Sequence, residues 1–236
     1  MLPYKRVLLK LSGESLMGNR TSGIDPNRMS EYVKQVQEAV AMGIQVAIVI
    51  GGGNFFRGLT GASQGVDRVK GDQMGMLATV MNGLALSSAL DAIGVPNCVM
   101  TAVRMEPIAT FYNKWVALSM LERGGVVICT AGTGNPYFTT DTGASLRAIE
   151  LEVDAMLKGT RVDGIYTADP EKDPTATKYD TITYSEVLQQ NLRVMDLTAI
   201  SMCMDNKMPI VVFDMDTPGN LLRVLRGENI GTVVTP

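Results

Sequence analysis

Apolar positions along the chain switch between two periods. Val7-Leu8-Leu9-Lys10-Leu11 is a short β-rich run, and similar runs follow at Gln45 to Ile50, Val95 to Met100 and Val126 to Thr130. Short apolar runs bounded by Gly or Pro predict strands buried on both faces. Between the first two, Met29, Tyr32, Val33, Val36, Ala39 and Val40 fall at helical spacing. Asp25-Pro26 opens that run as N-cap and first helical residue, and Gly43 closes it. Further helices are expected from near Asp72 to Gly94, with Leu77, Met81, Leu84 and Ala85 on one stripe, and from Asn113 to Arg123. Another is expected from Asp141 to Glu150, with Leu146 and Ile149 inward. Ala155 to Lys158 and Gly164 to Tyr166 read as short strands around a turn. Asp196 to Asp205 and Leu221 to Arg226 read as helices, and Ile210 to Phe213 and Thr232 to Val234 as late strands. This alternation predicts an α/β fold of βαβ units, with a mostly parallel sheet covered on both faces. Thr167 to Thr183, with Asp169-Pro170 and Asp173-Pro174, reads as an irregular excursion inside one folded unit.

Composition narrows the chemistry. The 236 residues contain no histidine, which excludes a Ser-His-Asp triad, a Cys-His pair, a His-ligated metal and an imidazole acid or base. Catalysis is left to carboxylates, Lys, Arg, hydroxyls and backbone amides. A net charge of −3 argues against duplex nucleic acid as the main partner. Cys98, Cys129 and Cys203 are widely separated, which argues against a zinc site or a disulfide framework and for a reducing, cytoplasmic setting. No apolar run approaches the roughly 20 residues of a membrane span. The sixteen methionines are expected as gap-fillers on apolar helix stripes.

In an open parallel sheet, ligands bind beyond the carboxyl ends of the strands. Three glycine turns fall there: Lys10-Leu11-Ser12-Gly13-Glu14-Ser15, Gly51-Gly52-Gly53-Asn54-Phe55-Phe56-Arg57-Gly58 and Gly132-Thr133-Gly134-Asn135-Pro136. Clustered backbone N–H groups at one rim suit a polyanion. A P-loop, a GxGxxG turn after the first strand and the protein-kinase motifs are all missing. Lys10 interrupts an apolar strand just before such a turn; it either snorkels to the surface or delivers a cation to a phosphate. Arg57 can fork onto a phosphate. Asp72 and Asp141 stand near predicted helix starts, as caps or as site carboxylates. Asp141 can orient a lysine or a hydrated Mg²⁺. The chemistry this inventory suits is phosphoryl transfer, which needs positioning and cationic stabilisation rather than a histidine.

These turns, together with Gly71-Asp72-Gln73-Met74-Gly75-Met76-Leu77-Ala78-Thr79, Tyr137-Phe138-Thr139-Thr140-Asp141 and Val162-Asp163-Gly164-Ile165-Tyr166-Thr167-Ala168-Asp169-Pro170, resemble the bacterial UMP kinases in order along nearly the whole chain. The resemblance implies the amino-acid-kinase fold, a three-layer αβα sandwich, and transfer of a phosphoryl group from ATP to UMP in pyrimidine nucleotide synthesis. It implies an acceptor half at roughly 1–150 and an ATP half at roughly 151–236. It places Lys10, Arg57 and Asp141 in catalysis, and Lys10, Leu11, Ser12, Gly13, Gly53, Arg57, Thr160, Tyr166 and Asp169 around ATP. It places Gly52, Asp72, Thr133, Gly134, Asn135, Pro136, Tyr137, Phe138, Thr139 and Thr140 around UMP, with Asp72 on the ribose. It further implies Mg²⁺ carried mainly by the ATP phosphates, a cytoplasmic homohexamer and inhibition by UTP. Some members of the family are activated by GTP through Arg and His at a subunit interface; around Ser87 and Asp91 this chain lacks such basic residues. Two other readings fit the same inventory. One is a carbamate-, acetylglutamate- or aspartate-type kinase, and the other is a non-catalytic nucleotide-binding protein.

Overall fold

The computed structural model describes residues 3–56, 65–170, 172–192 and 194–236. Its centre is a nine-stranded sheet. Strands β1 (Arg6–Leu11), β2 (Gln45–Ile50), β3 (Asn97–Thr101), β4 (Thr110–Phe111), β5 (Val126–Thr130), β6 (Ala155–Thr160), β9 (Thr181–Thr183), β10 (Ile210–Asp214) and β11 (Thr232–Thr235) lie in the order β4-β3-β5-β2-β1-β6-β10-β11-β9. All the pairings are parallel except β10 with β11. β7 (Ile165–Tyr166) and β8 (Lys178–Tyr179) form a separate antiparallel ribbon.

Seven helices cover the two faces among the described residues: α1 (Pro26–Ala41), α2 (Arg68–Ala92), α3 (Lys114–Glu122), α4 (Thr140–Glu150), α5 (Tyr184–Gln189), α6 (Leu197–Asp205) and α7 (Asn220–Leu225). A 3₁₀ turn at Gly13–Met17 follows β1. The two-residue period of a strand decides which face each side chain meets. From β1, Val7, Leu9 and Leu11 enter the core under α1, α2 and α7, while Leu8 enters the core under α3, α4 and α6. Lys10 shares the parity of Leu8 and so lies on the α4 side of the sheet. Lys158 on β6 follows the same rule, because Met156 packs on the α4 side and Leu157 on the other.

Several expectations need correction. The helix predicted from Asp72 begins one turn earlier, at Arg68, with Asp67 as its N-cap. The stripe Leu77, Met81 and Leu84, joined by Met74, faces outward at 39–51% exposure, while Ala78, Asn82, Gly83, Leu86 and Leu90 face the sheet. In α4, Ala144, Arg147 and Ala148 are buried, whereas Leu146 and Ile149 are only partly so. The stretch expected to be irregular contains β8 and β9. The strand at 165–166 pairs with β8, not back onto β6. Cys129 and Cys203 are buried as expected, and burial pushes the Cys129 thiol up to about 12.

Candidate active site

Lys10 is no surface lysine: its side chain is 13% exposed. Its Nζ lies 2.7 Å from Asp141 Oδ1, and Asp141 Oδ2 accepts a hydrogen bond from Lys158 Nζ at 2.8 Å. Lys10 and Lys158 are register partners on β1 and β6. Asp141 faces them from the first turn of α4, behind the N-cap Thr139. Burial alone raises the Asp141 carboxyl, but the two ammonium groups outweigh it and hold it below the ordinary aspartate value. Burial lowers Lys158; Asp141 opposes that and Lys10 adds to it. Lys158 also donates to the Val194 carbonyl at 2.6 Å. Within the triad two cations face one carboxylate, and Asp196 adds a weaker opposing charge to Lys158. A buried ammonium without a counter-charge costs several kcal/mol. The site is therefore organised to receive an anion.

Clefts open to either side of this triad. One, of about 180 Å³, is lined by Lys10, Ser12, Glu14, Lys158, Thr160 and Arg161. It shares Lys158 and Thr160 with a larger cleft of about 580 Å³ that also holds Tyr166, Asp169 and Leu192. Toward α2 lies a third cavity of about 320 Å³. Gly52, Gly53, Asp72, Thr133, Asn135, Phe138, Thr139 and Thr140 line it.

The glycine turns are held in place by buried side chains. Asn82 in α2 donates to the Gly51 carbonyl at 2.7 Å, and its amide exchanges hydrogen bonds with Asn54. Thr79 accepts from the Ala131 N–H at 2.8 Å, which fixes the turn after β5. Gly13 approaches the second turn so closely that a Cβ there would stand 2.6 Å from Asn54 Oδ1 and closer still to the Gly51 carbonyl oxygen. The Ser12 side chain accepts from the Glu14 N–H at 3.2 Å and caps the 3₁₀ turn.

The structure thus brings Lys10, Ser12, Gly13 and Asp141 to one rim, with Gly52, Gly53, Asp72 and the 133–140 turn on its α2 side. Thr160, Tyr166 and Asp169 lie on its β6 side. The Leu11 side chain is buried in the core and lines none of these clefts. Gly134, Pro136 and Tyr137 belong to the 133–140 turn but do not line the cavity. Arg57 lies outside the described residues. Tyr166 donates to Asp163 at 2.6 Å, and Lys178 braces the other Asp163 oxygen at 3.1 Å. Lys158 is the residue that sequence reasoning missed. Its signal is the one that marked Lys10, a lysine inside an otherwise apolar run.

A long parallel sheet, glycine turns at its carboxyl rim and a Lys–Asp–Lys triad between two clefts define a phosphoryl-transfer enzyme rather than a small-molecule carrier. The chain belongs to the amino acid kinase family, whose model matches residues 5–214. Within that family it stands with the uridylate kinases. It is 71% identical to uridylate kinase from Porphyromonas gingivalis, over 100% of this chain and 98% of the relative. It is 68% identical to uridylate kinase from Bacteroides thetaiotaomicron, over 99% of each chain. Among solved structures, UMP kinase from Bacillus anthracis superposes with a TM-score of 0.96 at 38% identity. That match covers 99% of this chain and 96% of the other.

Proposed function

We propose that this chain transfers the γ-phosphoryl group of ATP to UMP, giving ADP and UDP for pyrimidine nucleotide synthesis. The observation that carries the chemistry is the Lys10–Asp141–Lys158 triad at the junction of the clefts. The choice of acceptor is supported by the uridylate-kinase relatives over the full chain. ATP is assigned to the cleft beside Tyr166 and Asp169, with the adenosine against Tyr166. UMP is assigned to the cavity beside Asp72 and the 133–140 turn. The chain reads as one unit whose acceptor half is roughly 1–150 and whose ATP half is roughly 151–236.

In-line transfer through a loose transition state spreads charge over the equatorial oxygens of the moving group. Lys10 and Lys158 supply fixed positive charge there, and Asp141 holds both ammonium groups in place while offsetting only one of their charges. The Ser12-Gly13 turn offers backbone N–H groups to the same oxygens. Gly53 and Arg57 are assigned to phosphates near the donor–acceptor junction, and Gly52 to UMP. No proton relay through a histidine is needed.

Among the described residues no three acidic or cysteine side chains converge on a metal position. Asp141 Oδ1, although 2.7 Å from Lys10, is buried outside hydrogen-bond geometry. Mg²⁺ is proposed to be carried mainly by the donor's phosphates, with Asp141 the carboxylate that would face its water shell. Once bound, the ion neutralises phosphate charge.

A homohexamer is proposed as well. Met74, Leu77, Met81 and Leu84 are exposed at the spacing of a helix-packing seam on the 25-residue α2, which suits a contact with a second copy. UTP, with the base and sugar of the acceptor, is proposed to inhibit at the acceptor cavity. A cytoplasmic setting is proposed because three widely separated free cysteines suit a reducing compartment; among the described residues no helix is long and apolar enough to cross a membrane.

The deciding experiment is a coupled ADP-release assay with ATP, Mg²⁺ and a panel of UMP, CMP, dUMP, TMP, carbamate, acetylglutamate and aspartate. UMP-dependent ADP release well above the rest is expected. ADP release with one of the small acids and none with UMP would return the chain to the other branches of the family.

A further inference from the structure

Arg68 stands at the first position of α2 and lines the acceptor cavity. Its Nε donates to Asp72 Oδ2 at 2.9 Å. The same oxygen accepts from the backbone N–H of Tyr137 at 2.8 Å. The Arg68 guanidinium also lies over the Tyr137 ring, 5.5 Å from its centroid. Three residues from two distant segments therefore close a triangle on one carboxylate oxygen.

Neither arm of this triangle is explained by local stability. A cation in the first turn opposes the helix dipole. An Arg four residues before an Asp is the less favourable order for a helical ion pair, worth a few tenths of a kcal/mol at a half-exposed site. Tyr137 adopts φ 72°, a left-handed conformation that costs a non-glycine residue about 1 kcal/mol or more. Both unfavourable features converge on Asp72 Oδ2. Asp72 Oδ1 receives no hydrogen bond from the described residues, and the Asp72 side chain is 14% exposed at the cavity wall.

We propose that Arg68 is a positioning residue for the acceptor's sugar. With the Tyr137 amide it grips Asp72 by Oδ2 and presents Oδ1, an acceptor only, to the vicinal hydroxyls of a ribose. The inference rests on the assignment of UMP to this cavity. It adds that Arg68, through Asp72, sets the preference for a ribonucleotide over its 2′-deoxy counterpart. A site built around a hydroxyl donor discriminates against the analogue that lacks it, because the partner oxygen is left desolvated and unpaired.

The test is steady-state ADP release by the full chain and by Arg68→Gln, Arg68→Lys, Asp72→Asn and the Arg68→Gln/Asp72→Asn double variant, with UMP and dUMP as acceptors. Arg68→Gln is expected to raise KM for UMP about 5- to 20-fold, the scale of one hydrogen bond to a charged group. Its kcat and KM for ATP should stay within about threefold, and its thermal midpoint within about 3 °C. The UMP-to-dUMP ratio of kcat/KM should fall about fivefold, and Arg68→Lys should restore part of it. In the Asp72→Asn background the same change should add less than about twofold, as expected for residues acting through one contact. Equal losses on both acceptors, or full additivity with Asp72→Asn, would show that Arg68 touches the nucleotide directly and overturn the proposal. A wild-type chain that turns over neither acceptor overturns the assignment of the cavity itself.

Discussion

Lys10 and Lys158 sit opposite each other on neighbouring parallel strands, and each ammonium lies against a different oxygen of Asp141. The pairing follows from parity. Both lysines occupy positions whose side chains leave the sheet toward α4, where an apolar residue would otherwise join the core. Two such positions in register, answered by one helix-borne carboxylate, make a rigid site from three rigid elements.

Lys10→Ala is expected to lower kcat by about 10²–10³, the scale for removing one fixed stabiliser of transition-state charge. The KM values should change far less. Single-turnover kinetics with ATP and UMP read the effect directly, and unchanged turnover would remove Lys10 from the mechanism.

Lys158 gives a pH signature. Its folded-state ammonium loses its proton more readily than an ordinary lysine, burial being the main cause. Between the folded and unfolded values the unfolded chain binds the extra proton, so this residue's contribution to stability rises with pH across that window. Turnover should fall across the same window as the charge is lost. Buried Cys129 and Tyr32, both pushed up, pull the overall thermal midpoint down in alkali, so the Lys158 contribution is read as a difference in thermal midpoint, wild type minus Lys158→Arg, that rises with pH while wild-type kcat falls. Lys158→Arg, which keeps its charge, should move the alkaline fall in kcat upward, and a pH profile of both proteins checks this.

The acid side belongs to Asp141. Its depressed carboxyl contributes stability that is fully present above the ordinary value of 3.8 and is lost as pH falls through the folded value. Asp141→Asn leaves two close ammonium groups without their counter-charge. It should cost about 3 kcal/mol near neutral pH. Denaturant unfolding at several pH values should show the loss, and a shallower acid dependence in the variant.

Gly13→Ala tests the close approach of the first two glycine turns. The added methyl meets backbone at Gly51 and the buried Asn54 amide, neither of which has room to retreat. A loss of about 1–3 kcal/mol in stability is expected, with kcat falling as the amides lose alignment. A crystal structure or circular dichroism melt of the variant would separate a shifted turn from a lost fold.

Much of this arrangement was legible in the chain. The strands β1, β2, β3 and β5 are mostly apolar, and Lys10 is conspicuous because it breaks the run of the first. Lys158 carries the same mark, but its strand was expected to stop there and instead runs on to Thr160. The edge strand β9 and the helix α5 were missed because both are short and follow a stretch dense in Asp and Pro. The capping box of Thr183 and Glu186, which fixes the start of α5, was the available signal. Arg68 was passed over because the helix was expected to start at Asp72. Moving the start back one turn is what places Arg68 on the same face as Asp72. The outward turn of the Leu77, Met81 and Leu84 stripe reflects tertiary packing that periodicity alone does not orient. Arg57 falls outside the described residues, and the phosphate role proposed for it rests on the sequence of the second glycine turn.

The order of the sheet carries a last consequence. β1 separates β2, whose turn borders the cavity beside Asp72, from β6, whose Lys158 borders the cleft beside Tyr166. A single ribbon of backbone is thus the common border of two independently furnished rooms. Refurnishing the room beyond β2 for a different guest leaves the doorway at Lys10, and everything beyond β6, untouched.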